Sequence, residues 1–296
     1  MPPLYTLYLL AAALLWGTSF VAGKFAIGMA DATLVVFIRF LIASAFWMPV
    51  LAPALKALPR AKLGKLVVLA FLMIPATFLL QFIGLRHTTA TSAAVMIGFE
   101  PLMFVLIGWL VWGERPTFLN LTFGALALIG VLLVMGWPQG AQFLGCTLIL
   151  LSTAVVALWV RWSKPWIHQM GVKHFTALTT VIGTLLLFPF TAILTADWDI
   201  RWSIKGTMAI LYLGVGCSFI AGWCWNKGIE RADANTGGLF LALEPVFGIG
   251  VATILLNETL GTTALAGASL VILPVILTSI LSWLHTRPTT QEEPAP

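Results

Sequence analysis

The chain has 296 residues, of which 60% are hydrophobic and 9% are charged, and its mean hydropathy is +1.00. Soluble domains of average composition carry about 25% charged residues, so this composition excludes water as the main solvent and indicates a lipid bilayer. The net charge of +5 does not indicate a nucleic-acid partner, because the basic residues fall in loops between apolar segments.

Ten apolar segments follow one another along the chain, and they predict an all-α integral membrane protein with ten transmembrane helices. Each is close to the roughly 20 apolar residues that one helix needs to cross a bilayer core. The first begins near Leu4 without a basic leader, which predicts a retained helix and not a cleaved signal peptide. The predicted spans are 4–23, 32–52, 64–84, 91–112, 118–136, 143–162, 173–194, 207–227, 235–256 and 262–284.

The basic residues divide unequally between the two sides that these spans define. With the N-terminus in the cytoplasm, eleven lie inside and four outside, and basic residues resist translocation. We therefore expect a multi-pass protein of the cell inner (plasma) membrane, with both termini cytoplasmic and residues 287–296 as a short cytoplasmic tail. The four outside residues are Lys24, Arg86, Arg201 and Lys205.

Aromatic residues and one lysine form a stripe in the first span. Trp16, Phe20 and Lys24 recur at steps of four, so they share one helix face. There Trp16 is placed to form an aromatic wall of a substrate cavity, and Lys24 to neutralise a carboxylate near the outer end. Trp159 is a similar candidate in the sixth span. The alternative for these tryptophans is an anchoring role, because Trp is enriched at both membrane interfaces.

A single arginine lies inside the second span. Arg39 has a depth similar to that of Glu100 in the fourth span, and a charged group at such a depth normally pairs or faces a water-filled cavity. Three interpretations remain open. The guanidinium forms an ion pair with Glu100, extends to the outer surface, or contacts a substrate carboxylate.

An internal repeat relates the two halves of the chain. The segment QFIGLRHTTATSAAVMIGFEP, residues 81–101, runs parallel to WNKGIERADANTGGLFLALEP, residues 225–245, and aligns Glu100 with Glu244. Five spans per half is an odd number, so the second copy is inverted relative to the first. Transporters with inverted repeats bind substrate at the repeat interface near the middle of the membrane. The two predicted repeats are residues 1–138 and 139–286.

The duplicated Glu-Pro dipeptides place two acids in mid-membrane. A carboxylate there is costly unless it faces water, pairs or takes a proton, so Glu100 and Glu244 are candidates for substrate or proton handling. The alternative is a structural role, in which each acid bonds neighbouring helices. Pro101 and Pro245 remove a helical N–H and predict kinks or hinges beside the acids. Two uncharged polar residues are candidates for the cavity or for helix contacts: Gln81 and Asn226.

Several short motifs resemble a known transporter family over nearly the whole chain. The opening WGTSFVAGKF, the Arg39–Phe40 dipeptide, the duplicated Glu-Pro and the segments WGERP and LNETL are similar to the EamA branch of the drug/metabolite transporter (DMT) superfamily. This resemblance implies ten helices in two inverted five-helix repeats around a central cavity. The length and the aromatic richness resemble YddG-type exporters of aromatic amino acids and cationic drugs.

These features together predict a transporter. A phosphate or nucleotide-sugar carrier needs several cations in its cavity, whereas one deep cation with an aromatic lining suits a hydrophobic or aromatic amino acid, or an organic cation. We expect a monomeric exporter that works by alternating access. An uptake permease or a drug/cation efflux carrier of the same fold is the alternative, and a channel is less favoured. The sequence contains no GxxxxGK[ST] loop, zinc-ligand cluster, HExxH or GxSxG, so we expect neither a cofactor nor an enzyme.

Overall fold

The computed structural model describes residues 3–58, 62–135, 140–231, 240–241, 243–258 and 261–285, and all regular structure within these residues is helical. The predicted cytoplasmic tail and the first part of the predicted ninth span lie outside the described residues. The helices are α1 (Pro3–Gly17), α2 (Ser19–Ile27), α3 (Ala32–Ala57), α4 (Leu63–Phe71), α5 (Thr77–His87), α6 (Ala90–Ile97), α7 (Glu100–Trp112), α8 (Phe118–Met135), α9 (Gly140–Met170), α10 (Val172–Leu194), α11 (Ile204–Leu211), α12 (Ala221–Ile229), α13 (Glu244–Leu256) and α14 (Thr262–His285).

Six helical stretches in the described part of the chain are long and apolar enough to cross a membrane. A seventh results if α6 and α7, which are bent by 41°, form one broken span. Three shorter apolar helices, Leu121–Val134, Glu244–Leu256 and Thr262–Pro274, accompany them. The predicted all-helical membrane architecture is therefore confirmed for the described residues, while the count of ten crossings stays a prediction.

The outer faces of these helices carry large apolar side chains. More than half of the surface of Leu185, Phe188 and Ile193 in α10 is exposed, and Leu41 and Met48 in α3 are similarly exposed. Contiguous apolar surface of this kind marks contact with a membrane or a partner. In a protein of this composition these faces are the surface that contacts lipid.

The third predicted span of each half contains a π-helical segment. Leu72–Ala76 joins α4 to α5, and Tyr212–Ile220 joins α11 to α12. In the first segment Pro75 has no N–H to donate, which favours a departure from regular α-helix. The two segments overlap when residues are shifted by the offset that aligns Glu100 with Glu244. Such π-helical segments frequently occur at functional sites.

The helices that follow the Glu-Pro dipeptides also match between the halves. Each spans 13 residues and ends in a left-handed residue, Gly113 at φ 70° and Asn257 at φ 53°. The next N–H then bonds to a carbonyl six residues earlier, from Glu114 at 3.2 Å and from Glu258 at 3.4 Å. Left-handed ends of this kind stop a helix while satisfying its last carbonyls. The sequence repeat is thus a repeat of backbone structure.

Glycines allow the two halves to approach closely. A Cβ at Gly84 would lie 2.7 Å from the carbonyl oxygen of Gly145, and a Cβ at Gly145 would lie 2.6 Å from that of Gly84. Helix α5 of the first half therefore crosses α9 of the second at backbone contact, as small residues permit in membranes. This crossing brings Gln81 and Trp159 to one side of the α5–α9 pair, where the cavity described below is found.

Candidate functional site

A central cavity lies between the two halves and has about 490 Å³ of empty space, its opening included. It is bounded by α1, α2, α5, α6, α7, α9, α12 and α13. Most of its lining is apolar or aromatic, and two acids and a few hydroxyl and amide groups face it. Six of the residues that the sequence singled out line it: Trp16, Phe20, Gln81, Glu100, Trp159 and Glu244.

Two buried carboxyl groups enter this cavity from equivalent positions. Glu100 begins α7 and Glu244 begins α13, and only 4% and 6% of their surfaces are exposed. The N-terminus of a helix favours negative charge, because its first N–H groups have no intrahelical partner. Oxygen Oε1 of Glu244 has no hydrogen-bond partner among the described residues, so it is free to accept a bond from a ligand.

The prolines beside these acids occupy the first turns of new helices. The sequence predicted a kink at Pro101, and the chain bends there by 41°. The bend is a break between two helices, since α6 ends at Ile97 and α7 begins only at Glu100. Pro245 holds the same place in α13. A proline fits the first helical turn, where its missing N–H would have no partner in any case.

Three tryptophans form much of the cavity wall. The ring centroids of Trp16 and Trp225 are 5.4 Å apart, and Nε1 of Trp16 donates to the carbonyl of Cys217 at 2.9 Å in the π-helical segment. The buried Nε1 groups of Trp159 and Trp225 have no partner within the described residues. The wall therefore offers aromatic faces, and two buried indole N–H groups of the same residues lack a partner among the described residues.

Residues related by the internal repeat meet at this cavity. Three repeat-related pairs line it: Glu100 and Glu244, Ile97 and Leu241, and Gln81 and Trp225. Side chains of both repeats therefore meet at this cavity, which places it at the interface between the repeats.

Three candidates from the sequence are not among the residues that line the cavity. Lys24 is half-buried further along α2. Nδ2 of Asn226 donates to Oγ1 of Thr176 at 2.9 Å and connects α12 to α10. Successive helix residues point about 100° apart, so the preceding residue, Trp225, faces the cavity in its place. Arg39 is fully buried, so it does not extend to the outer surface, and among the described ion pairs it has none with Glu100.

The cavity also contains residues that the sequence interpretation missed. Two signals were available. Trp225 occupies the position equivalent to Gln81 in the repeat. Phe78 and Thr77 precede Gln81 by three and four residues, which is one helical turn. The other missed residues are Ser19, Val156 and Val160, together with the repeat-related Ile97 and Leu241.

Glu258 connects the halves at one end of the molecule. Its carboxylate accepts hydrogen bonds from the N–H groups of Ala90 at 3.1 Å and Thr91 at 2.8 Å, and from Oγ1 of Thr91 at 2.7 Å. The next N–H of α6, that of Ser92, bonds to Oγ1 of Thr89. A side chain of the second half thus caps a helix of the first half.

Glu114, the repeat equivalent of Glu258, has a different partner. It forms two hydrogen bonds with the guanidinium of Arg161 in α9, and the Arg161 hydrogen bonds hold the pKa of this carboxyl below its usual range. The side chains of Arg161 and Glu114 are 40% and 53% exposed. The two ends of the molecule are therefore held by contacts of different kinds, although the acids are related by the repeat.

Comparison with known proteins agrees with the class that this fold and cavity define, a multi-span membrane transporter. The sequence profile of the EamA-like transporter family matches residues 4–136 and again 143–280. The chain belongs to the EamA-like transporter family, within the drug/metabolite transporter superfamily, as its motifs predicted.

Individual relatives cover half or more of the chain in most cases. An uncharacterized transporter of Haemophilus influenzae is 37% identical over 145 residues, 47% of this chain and 85% of that protein. One of Archaeoglobus fulgidus is 24% identical over 88% of this chain and 94% of its own length. A probable terminal-alkyne amino-acid exporter of Streptantibioticus cattleyicolor is 25% identical over 66% of this chain and 65% of its own. A solved crystal structure at 18% identity covers 94% of this chain and 98% of its own, with a TM-score of 0.68, which shows a common fold.

Proposed function

We propose that this transporter exports small, largely apolar amino acids, aromatic ones among them, by alternating access through the central cavity. The observation that carries the proposal is the pairing of tryptophan walls with two buried carboxyl groups in one cavity. Support of a weaker kind comes from the Streptantibioticus cattleyicolor relative, which is named a probable amino-acid exporter.

The cavity suits the two ends of such a substrate. The ammonium group binds the free oxygen of Glu244 and the nearby Glu100, because a cation in a desolvated site requires an anionic partner. The apolar side chain packs on Trp16, Trp225 and Phe20, where aromatic faces contribute both buried area and stacking. A multiply charged phosphate does not fit this lining, since no lysine or arginine lines the described cavity.

The proposal includes a position in the membrane and a mode of movement. The protein lies in the cell inner membrane as a monomer of ten crossings, with residues 1–138 and 139–286 as inverted repeats and both termini cytoplasmic. The substrate crosses without chemical change. The hydrogen bonds from the start of α6 to Glu258 close the outer end of the cavity. The inner end opens and closes as one half moves against the other.

A second function is favoured by the same acids. Two carboxyl groups with aromatic walls also suit an organic cation that lacks a carboxylate, because cation–π contacts and ion pairs then act together. An efflux carrier for cationic drugs therefore remains the alternative, and an uptake permease differs from the proposal only in direction. Comparing phenylalanine with a quaternary ammonium compound in the same vesicles separates these functions.

Exchange by the purified protein in liposomes tests the function. We expect phenylalanine, tryptophan, leucine and methionine to exchange at least about tenfold faster than glutamate, lysine or sugar phosphates. Trp16→Ala removes a stacking surface and should lower phenylalanine exchange by about tenfold, which corresponds to about 1.4 kcal/mol. The matched control is Trp202→Ala, because Trp202 is 75% exposed outside the cavity and its loss should leave exchange unchanged. Rapid exchange of sugar phosphates without apolar amino acids would contradict the proposal.

Cysteine labelling tests the orientation. Asp199→Cys should react with an impermeant maleimide added to intact cells, whereas Lys62→Cys should react only after permeabilisation, because the basic-residue bias places Lys62 inside. The native thiols of Cys146, Cys217 and Cys224 are buried, so they contribute little background. Labelling of Lys62→Cys in intact cells would reverse the topology.

A further inference from the structure

We propose that Arg39 binds the carboxylate of the transported amino acid, so that the transporter recognises both charges of a zwitterion. This inference rests on the proposed function and deepens it. It assigns the anionic end of the substrate to α3, while the acids of α7 and α13 take the cationic end.

The guanidinium of Arg39 has unused donors. It is fully buried, and its Nε donates to Oγ of Ser218 at 2.8 Å. Both Nη1 and Nη2 have no hydrogen-bond partner in the described part of the chain, and none of the ion pairs found there includes Arg39. Burying an arginine is costly unless its charge and its N–H groups are satisfied. The structure therefore contains a buried cation whose Nη1 and Nη2 lack a partner among the described residues, and a bound ligand supplies that partner.

Aromatic rings hold this cation in place without neutralising it. The Cζ atom of Arg39 lies 5.3 Å from the ring centroid of Phe40, 4.8 Å from that of Phe78 and 5.1 Å from that of Phe82. Cation–π contacts of this kind stabilise a buried guanidinium in part. A ring offers no lone pair, so these contacts leave Nη1 and Nη2 without a hydrogen-bond acceptor among the described residues.

Two neighbours of Arg39 place it directly behind the cavity wall. The ring of Phe78, which contacts the guanidinium, also lines the cavity, so this side chain lies next to both. Ser218, the hydrogen-bond partner, follows Cys217, whose carbonyl accepts from the cavity residue Trp16. The hydroxyl of Ser218 is itself bonded to the carbonyl of Leu213 at 2.8 Å, which fixes its lone pairs toward Arg39.

The geometry of the unpaired N–H groups of Arg39 indicates the kind of ligand that they bind. Nη1 and Nη2 form a planar fork that matches the two oxygens of a carboxylate. One fork with no second cation in the cavity lining suits a single negative charge and not a phosphate. An α-amino acid brings this carboxylate together with the ammonium group that the acids require, so both unsatisfied sets of buried polar atoms gain partners at once.

Phenylalanine and phenylalaninamide differ at the carboxylate and provide the test. Binding to the purified wild-type protein, measured by ligand-induced thermal stabilisation and by exchange in liposomes, should favour phenylalanine by at least about tenfold. In Arg39→Gln we expect this preference to fall to about one, through loss of phenylalanine binding with little change for the amide. Arg39→Lys, which keeps the charge and loses the fork, should be intermediate. Lys173→Gln is the matched control, because Lys173 also lies in a long apolar helix, is exposed and does not line the cavity.

The outcomes separate this inference from the proposed function. Equal affinity of the wild type for both compounds would overturn the role of Arg39, and this measurement holds even if Arg39→Gln does not fold. A preference that survives in Arg39→Gln, or an equal loss of both ligands, would also overturn it while leaving amino-acid transport in place. Failure of the wild type to bind or exchange either compound would overturn both proposals.

Discussion

Replacing Glu244 with Gln is expected to lower amino-acid exchange by about 10- to 150-fold. Hydrogen bonds to a charged group are worth about 1.5–3 kcal/mol, and each 1.4 kcal/mol is a factor of ten in affinity. Gln has the same shape as Glu, but it presents a neutral amide to the ammonium group of the substrate. Oε1 of Glu244 is buried as well as without a hydrogen-bond partner among the described residues, so we expect this position to be more sensitive than Glu100, although the repeat relates the two residues.

The symmetric variant Glu100→Gln is the matched comparison for this experiment. Initial exchange rates, binding affinity and detergent stability should be measured for both variants and for the double variant. If Glu244 also carries a coupling proton, Glu244→Gln will in addition lose the acceleration of transport by an imposed pH gradient. A Glu244→Gln protein that keeps the exchange rate and the pH response of the wild type would exclude this residue from substrate and proton binding.

Replacing Glu258 with Ala is expected to shift the transporter toward the state that is open at the outer end. The carboxylate bonds two N–H groups and one hydroxyl at the start of α6, and it sits where the helix N-terminus favours negative charge. A net loss of about 3 kcal/mol from these contacts would change the ratio of closed to open states by about 150-fold.

Accessibility of the cavity measures this shift. Ser19→Cys places a thiol on the cavity wall, and its reaction with an impermeant maleimide from outside should accelerate at least about tenfold when Glu258→Ala is added. Glu114→Ala is the control at the equivalent position, because the exposed bonds of Glu114 to Arg161 contribute little to the closed state. Equal labelling rates in the presence and absence of Glu258 would show that this contact does not close the outer end.

The amino-acid sequence by itself determined the helices, the membrane environment, the repeat and the family. Hydropathy is a property of each segment alone, so the apolar runs predicted helices wherever the described residues allow comparison. The repeat followed from direct alignment, which paired Glu100 with Glu244 before any contact was known. Six of the nine proposed cavity residues also line the cavity, because acids, amides and tryptophans in mid-membrane have few other places to face.

Only the tertiary structure decided which side of each helix meets the other half. The sequence did not distinguish Trp225 from its neighbour Asn226, since their directions differ by one helical step and only the position of α10 turns Asn226 away. It also did not supply the partner of Arg39, because Ser218 is brought near by the π-helical segment of a distant span. Burial of a polar group depends on long-range packing, whereas the formation of an apolar helix in a bilayer depends on its own residues, and this difference is why the helices were predictable and their contacts were not.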